Sequence, residues 1–173
     1  YCNSKSERAV RTLLTERYPR EAFTLATKLH AMYLKNEGDA DSLFAKQQER
    51  TGLDYFDYYL IHDINVHSIN RYNKFGIFDW LKAKKEAGLV KHIGFSFHDS
   101  PELLDQILTE HPEMEFCQIQ LNYLDYNNPA IRSRECYEVA EKHGKPVIIM
   151  EPVKGGTLVN VPDEVTRMFK EAE

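Results

Sequence analysis

The chain has 173 residues, of which 42% are hydrophobic and 28% charged, and its formal net charge is −5. This composition is typical of an ordinary globular protein, and without a basic excess to bind phosphate backbones we expect no nucleic-acid partner. No apolar run approaches the ~20 residues that cross a bilayer, and no signal-peptide pattern follows Tyr1, so we expect a cytoplasmic protein with no membrane partner.

Apolar, β-branched and aromatic runs alternate along the chain with segments of helical period. This pattern is typical of a parallel sheet whose strands are joined by crossover helices. The runs begin roughly 24 to 35 residues apart, which is the spacing that a βα unit requires. The predicted strands are Ala22–Thr27, Asp57–His62, His92–Phe97, Phe116–Leu121 and Pro146–Glu151.

Helix signals lie between the predicted strands. Ser4 stands three residues before Glu7 with capping-box spacing, Pro101 suits a first helical turn, and Gly88 suits a C-terminal stop. No linker or low-complexity tract interrupts the series, so residues 1–173 are predicted to form one domain. The predicted helices begin at Ser4, cover Asp41–Arg50 and Phe75–Ala87, begin at Ser100, run from Asn128 to about His143, and cover Pro162–Glu173.

An unbroken βα series fits either a closed parallel barrel or an open doubly wound sheet. Polar residues follow several successive predicted strands, as they do where the strand ends of a barrel converge on one mouth; no GxGxxG or Walker loop follows a strand. We therefore predict an α/β fold of the parallel (β/α)₈ TIM-barrel type. A complete barrel takes about 250 residues. Because the chain starts at Tyr1 rather than Met and stops inside a predicted helix, we expect an incomplete portion of it.

Lys28 and His62 stand at the ends of adjacent βα units. Alone, Lys28 can be a surface residue that keeps its ammonium in water, and His62 can be a hydrogen-bonded core histidine. Together they place two titratable groups in one cavity, where an ammonium can lower the pKa of a neighbouring phenol or thiol. The scattered Cys2, Cys117 and Cys136 form no metal or disulfide motif, and we predict no metal site.

At these residues the sequence resembles the aldo/keto reductases. The segment Tyr1–Glu7 resembles the family's catalytic Tyr and the helix start after it, and Ala26-Thr27-Lys28 resembles the segment with the catalytic lysine. The run from Leu53 to His62 resembles the strand that ends in the catalytic histidine. The resemblance implies that Tyr1, Lys28 and His62 are catalytic.

Further segments resemble the family's nicotinamide site. Ser96, in Ile93–Phe97, stands where a serine contacts the carboxamide, although Phe97 replaces the usual Asn. Gln118 stands where a glutamine binds the same amide. The stretch Met150–Gly156 resembles the segment that flanks the nicotinamide and the pyrophosphate. The cofactor-binding residues that the resemblance implies in this stretch are Met150, Glu151, Val153, Gly155 and Gly156.

The resemblance implies reduction of aldehydes or ketones to alcohols by hydride from NADP(H), with NAD(H) as the alternative cofactor. Tyr1 would donate the proton, Lys28 would stabilise its phenolate, and His62 would orient a small carbonyl substrate. The chain would carry barrel strands three to seven and be inactive in isolation. The sequence around Gly94 and around Met150 resembles that of a bacterial branch of the family that often carries a C-terminal 4Fe-4S extension, which this chain does not contain.

Two other functions remain open at this point. His62-Asp63 and His98-Asp99 both follow predicted strands and could converge on a divalent ion, as in a metal-dependent barrel hydrolase, although Asp63 and Asp99 can also be loop or helix-cap residues. A barrel that binds nicotinamide as a scaffold module without turnover is the third candidate. The sequence gives no oligomeric state and no physiological substrate.

Overall fold

The computed structural model describes residues 4–172. Its strands are β1 (Ala26–His30), β2 (Phe56–Ile64), β3 (Val90–Phe97), β4 (Phe116–Gln120) and β5 (Val147–Met150). Its α-helices are α1 (Lys5–Val10), α2 (Asp39–Thr51), α3 (Ile69–Lys74), α4 (Ile77–Glu86), α5 (Pro101–Glu110), α6 (Ser133–Lys142) and α7 (Asp163–Ala172). Arg11–Thr15 continues α1 as a π-helical turn, and 3₁₀ turns cover Arg20–Ala22, Ala31–Tyr33 and Lys154–Val159.

The five strands form one parallel sheet in the order β1-β2-β3-β4-β5. Each strand therefore pairs with the next one in sequence, and the order never reverses as it does in a doubly wound sheet. This order, with helices in the connections, is that of consecutive βα units in a (β/α)₈ barrel. Among the described residues β1 and β5 are the two edges, so the fold is a partial barrel.

Side chains alternate between two faces of this sheet. The outer face packs against the helices and supplies much of the hydrophobic core, including Leu29, Ile61, Phe95 and Ile119. The inner face carries polar residues of the candidate site. Strand register places Lys28 beside Leu60 on this face, and Ser96 beside Gln118. The polar side chains of the candidate site lie on the face opposite to this core.

An aromatic layer lies on the inner face near the amino ends of the strands. The Tyr58 ring stacks on His92 with centroids 5.0 Å apart and meets the Phe116 ring edge-on at 5.7 Å. Gly94 permits this packing, since a Cβ there would lie 2.5 Å from the Phe116 carbonyl oxygen and 2.8 Å from its ring. The glycine is required for close approach between β3 and β4.

The predicted strands match the observed ones closely except for the first. Arg20–Ala22 forms a 3₁₀ turn, and pairing with β2 begins at Ala26 instead of Ala22. The apolar run around Phe23 is extended but precedes the paired region. Lys28 consequently lies in the middle of β1 and does not end it as predicted.

Two helix predictions also need correction. No helix was predicted where α3 lies, and Gly76, at φ 58°, separates α3 from α4, which is the helix predicted over Phe75–Ala87. The helix predicted from Asn128 begins at Ser133, because Arg132 at φ 55° interrupts it. The helix predicted from Ser100 is confirmed as α5: Ser100 caps it by accepting from Leu103 N, and Asp99 is a loop residue. Across residues 4–172, no helix combines the length and the apolar character needed to cross a bilayer.

Candidate active site

The predicted catalytic lysine contacts the predicted cofactor glutamine. Lys28 Nζ donates to Gln118 Oε1 over 2.5 Å, across the inner face from β1 to β4. Burial of the lysine side chain lowers its pKa below the ordinary value, because a low-dielectric environment disfavours the charged form. Lys28, His30 and His62 line one cleft of about 600 Å³. Fold and register thus bring together residues that are 90 positions apart in sequence.

His62 lies near the carboxyl end of β2, where its strand partner is His30. Their rings meet edge-on with centroids 5.0 Å apart. Burial, reinforced by the positive charge of Lys28, lowers the pKa of His62 to about 4. The imidazole is therefore neutral near pH 7 and can donate a hydrogen bond to a carbonyl oxygen without carrying charge.

The buried Tyr72 of α3 fixes the backbone around His62. Its hydroxyl donates to the His62 carbonyl oxygen and accepts from Ala31 N at 2.8 Å. Tyr72 is fully buried, so its hydroxyl satisfies these main-chain groups away from water. This single side chain joins the carboxyl ends of β1 and β2.

A backbone irregularity in β2 follows His62 directly. Asp63 adopts the left-handed conformation at φ 54°, and the pairing of β2 with β3 shifts register between Ile61 and Ile64. The Asp63 N–H donates to Ser96 Oγ at 2.8 Å, and Ser96 is fully buried. The predicted cofactor serine thus holds the bulge beside the predicted catalytic histidine.

Two further histidines lie near this mouth. His30 Nδ1 accepts from Met32 N at 3.0 Å, and its Nε2 lies 3.5 Å from Asp63 Oδ2. His98 is close enough to His62 for its charge to contribute to lowering the His62 pKa. The His30 position could have been found from its spacing, since it lies two residues after Lys28 on the same face of β1.

The two His-Asp pairs do not form a metal-binding group. Both Asp99 carboxylate oxygens accept backbone N–H groups, from Ser100 at 2.7 Å and from Val66 at 2.8 Å. Within residues 4–172 no group of three or more His, Cys, Asp or Glu side chains is arranged to hold a metal ion. The geometry of these side chains gives the hydrolase alternative no support.

The predicted cofactor segment after β5 forms a loop with several left-handed residues. Met150 pairs in register with Gln120 and so lies on the inner face, half-buried. Glu151 has φ 56°, and Gly155 and Gly156 have φ 61° and 96°. Val153 in this loop is 48% exposed.

A buried carboxylate connects this loop to β4. Asp125 is fully buried and pairs with Lys154 Nζ. It also accepts from Asn122 Nδ2 at 2.9 Å and from Gln120 Nε2 at 3.0 Å. The ion pair with Lys154, followed by these hydrogen bonds, lowers the pKa of Asp125 to about 2. Sequence reasoning missed this network, because Asp125 belongs to a loop and has no pattern of its own.

The described site therefore gathers Lys28, a neutral His62, Ser96 and Gln118 on the inner face, with the segment from Met150 to Gly156 at the neighbouring strand end. The predicted proton donor Tyr1 lies outside the described residues. This arrangement offers a half-buried ammonium, a neutral imidazole and a primary amide, groups suited to binding a carbonyl or carboxamide oxygen.

Comparisons of the sequence and of the structure with known proteins point to the same family. The model of the aldo/keto reductase family matches residues 1–173, while no curated protein matches the sequence. An aldo-keto reductase enzyme, MGS-M4, from a Medee basin deep-sea metagenome library has a TM-score of 0.74 and 20% identity, over 99% of this chain and 59% of that one. An aldo/keto reductase from Brucella melitensis has a TM-score of 0.69 and 23% identity, over 96% and 60%.

An aldo/keto reductase from Klebsiella pneumoniae, solved in complex with NADP and acetate, has a TM-score of 0.63 and 16% identity, over 91% of this chain and 52% of that one. The chain thus spans between 52% and 60% of the lengths of these three structures. Structural likeness at such identities shows a shared fold, and the family model extends over the whole sequence. The chain belongs to the aldo/keto reductase family.

Proposed function

We propose that the protein containing this chain reduces aldehydes or ketones to alcohols with NADP(H). The observation that carries the proposal is the Lys28–Gln118 contact beside a neutral His62, because it puts a half-buried ammonium, a carbonyl-orienting donor and an amide ligand in one mouth. The cofactor choice is supported by the Klebsiella pneumoniae relative, which was solved with NADP. NAD(H) is the alternative.

The residues present fit a nicotinamide cofactor. Gln118 accepts from Lys28 through Oε1, so its amide N–H donors remain for a carboxamide oxygen. A Cβ at Gly156 would meet nothing within 4 Å, and one at Gly155 would meet only Glu151 Oε2 at 4.0 Å. The space beside these two glycines is therefore open to close approach by a phosphate group, while the Gly156 N–H donates to the Val153 carbonyl oxygen at 3.0 Å.

The proposed roles follow from the protonation states. When bound, the reduced nicotinamide supplies hydride to the carbonyl carbon. His62, neutral at its lowered pKa, donates a hydrogen bond to the carbonyl oxygen and orients it. Lys28 stabilises an adjacent phenolate, and Tyr1, by family resemblance, is the proton donor to the developing alkoxide.

The test is NADPH oxidation with a panel of aldehydes and ketones, using the protein that contains this chain. Tyr1→Phe and Lys28→Met should each lower turnover by about 10² or more, the usual contribution of a general acid, while NADPH binding followed by cofactor fluorescence survives. Lys82→Met, on the exposed side of α4, is the matched control for Lys28→Met and should leave turnover unchanged.

Three results would contradict the proposal. Turnover within about tenfold of the parent in Tyr1→Phe would remove Tyr1 from the mechanism. Tight nicotinamide binding without reduction of any carbonyl would identify a scaffold module. Hydrolytic activity that a chelator abolishes, together with no nicotinamide binding, would favour the metal-dependent hydrolase instead.

A further inference from the structure

We propose that Asp125 is a positioning residue for the nicotinamide cofactor, acting through Lys154 and the loop after β5. This inference rests on the proposed function, because it concerns how that cofactor is held. The ligand is the nicotinamide dinucleotide itself, and the part of the protein that Asp125 positions is the segment Glu151–Gly156. Asp125 is not a catalytic residue, since its hydrogen bonds reach none of Lys28, His62 and Gln118.

The first step concerns how many separate segments Asp125 joins. One carboxylate oxygen accepts from Gln120, at the end of β4, and from Asn122 in the following loop; the other pairs with Lys154 after β5. Asn122 also donates from Nδ2 to the Glu151 carbonyl oxygen at 3.2 Å, and its Oδ1 accepts from Asp125 N at 2.9 Å. The Asp125 carboxylate and its partner Asn122 therefore connect two positions of the loop after β5, Lys154 and Glu151, to β4.

The second step concerns the backbone of that loop. Glu151 at φ 56° and Lys154 at φ 47° are left-handed although neither is glycine. Residues with a Cβ adopt this conformation rarely and keep it where surrounding structure holds them. The contacts of Asp125 and Asn122 fall on these two residues, at Lys154 Nζ and at the Glu151 carbonyl oxygen. The network thus holds the two positions at which the loop departs from ordinary geometry.

The third step concerns charge. Lys154 is 36% exposed at its side chain, whereas Asp125 is 1% exposed, so the pair has one buried end and one end near the mouth. Removing the carboxylate charge frees the ammonium from its partner and leaves the loop without its main anchor. Without this anchor the loop must be ordered when the cofactor binds, and that ordering lowers the affinity for the cofactor. The reacting groups on the inner face keep their own contacts.

The experiment measures NADPH affinity and turnover separately in the protein that contains this chain. Asp125→Asn and Lys154→Met should each weaken NADPH binding by about tenfold or more, the ratio that one well-formed hydrogen bond contributes. Turnover at saturating NADPH should stay within about threefold of the parent, because the loop is correctly placed once the cofactor is bound. Lys154→Arg retains the charge and should recover most of the affinity.

The matched control is the exposed ion pair between Lys142 Nζ and Asp105 Oδ1, 2.9 Å apart with side chains 69% and 40% exposed. Lys142→Met should leave NADPH affinity unchanged. The inference is overturned if Asp125→Asn binds NADPH within twofold of the parent, if turnover falls in step with affinity, or if Lys154→Arg is no better than Lys154→Met. If Asp125→Asn does not fold, the two Lys154 variants decide by the same criteria.

Hydrogen exchange without cofactor separates this inference from the proposed function. Asp125→Asn and Lys154→Met should speed amide exchange in residues 151–156 while exchange in β1 and β2 stays at the parent rate. If the parent binds no nicotinamide cofactor, the proposed function fails and the cofactor role of Asp125 fails with it, even where exchange in the loop responds. If the parent binds NADPH and neither exchange nor affinity responds to the variants, only the role of Asp125 fails.

Discussion

Lys28 Nζ and Gln118 Oε1 lie 2.5 Å apart, which joins a residue predicted for catalysis to a residue predicted for cofactor binding. A glutamine amide can accept from the lysine with its oxygen and donate to a carboxamide with its nitrogen. We therefore propose two functions for Gln118: it binds the cofactor and it orients the ammonium group. Substitutions at this position should alter both cofactor affinity and the ionisation of Lys28.

For Gln118 we expect that Gln118→Ala weakens cofactor binding more than it slows the chemical step. Gln118→Glu places a carboxylate beside Lys28, which raises the lysine pKa because an opposite charge favours the charged form. The alkaline limb of the turnover profile should then move to higher pH in Gln118→Glu and to lower pH in Gln118→Ala. Measured pH profiles with coincident alkaline limbs would show that Gln118 does not influence Lys28.

Tyr72→Phe should destabilise the fold and disturb the mouth. The variant removes the hydroxyl that bonds Ala31 N and the His62 carbonyl oxygen, leaving buried main-chain groups unsatisfied. We expect a loss of about 1–3 kcal/mol in the free energy of unfolding, measured by urea denaturation. Tyr18→Phe, at a side chain 56% exposed, is the control and should change stability little. Equal stability of the two variants would argue against the role of Tyr72.

Gly94→Ala should be strongly destabilising. The new Cβ would lie 2.5 Å from the Phe116 carbonyl oxygen, a distance that requires β3 and β4 to move apart. We expect about 1–3 kcal/mol of lost stability or more, as for overpacked cores, measured by thermal or urea unfolding. Adding Phe116→Leu should restore little, because the nearest clash is with backbone. A full rescue by that second substitution would place the conflict at the ring instead.

Acidification should destabilise the protein partly through His62. A histidine titrates near about 6.5 in the unfolded chain, whereas burial lowers the folded pKa of His62 to about 4. Between these values the unfolded state binds more protons, so the free energy of unfolding falls as the pH falls from about 6.5 towards 4. His62→Gln should flatten this dependence, whereas His67→Gln, at an exposed position, should not.

Burial and the charged neighbours of His62 together set the size of this pH effect. Lys28, His30 and His98 lower its pKa together with burial, and Asp63 raises it. Unfolding measured at several pH values between 4 and 7 gives the difference between parent and variant directly. An identical slope in the parent and His62→Gln would mean that His62 titrates normally in the folded protein.

Most of the architecture could be predicted from patterns of short range. Alternation of apolar runs with helical segments predicted the parallel sheet, and four of the predicted strands lie close to the observed β2, β3, β4 and β5. The first strand was misplaced because an apolar run indicates extended chain but does not show which residues pair with a neighbouring strand. Phe23 is extended, yet pairing with β2 starts at Ala26. Helix α3 was missed because its six residues, Ile69–Lys74, are too few to show a helical period.

The sequence by itself determined the residue types of the candidate site and the strands that carry them, because the periods of strands and helices are local properties of the chain. Only the tertiary structure decided which of these residues meet. The Lys28–Gln118 contact spans 90 positions and the Asp125–Lys154 pair spans 29, and each depends on strand register and loop path. Such contacts have no local signature, since they arise when the parallel sheet brings its strand ends to one edge.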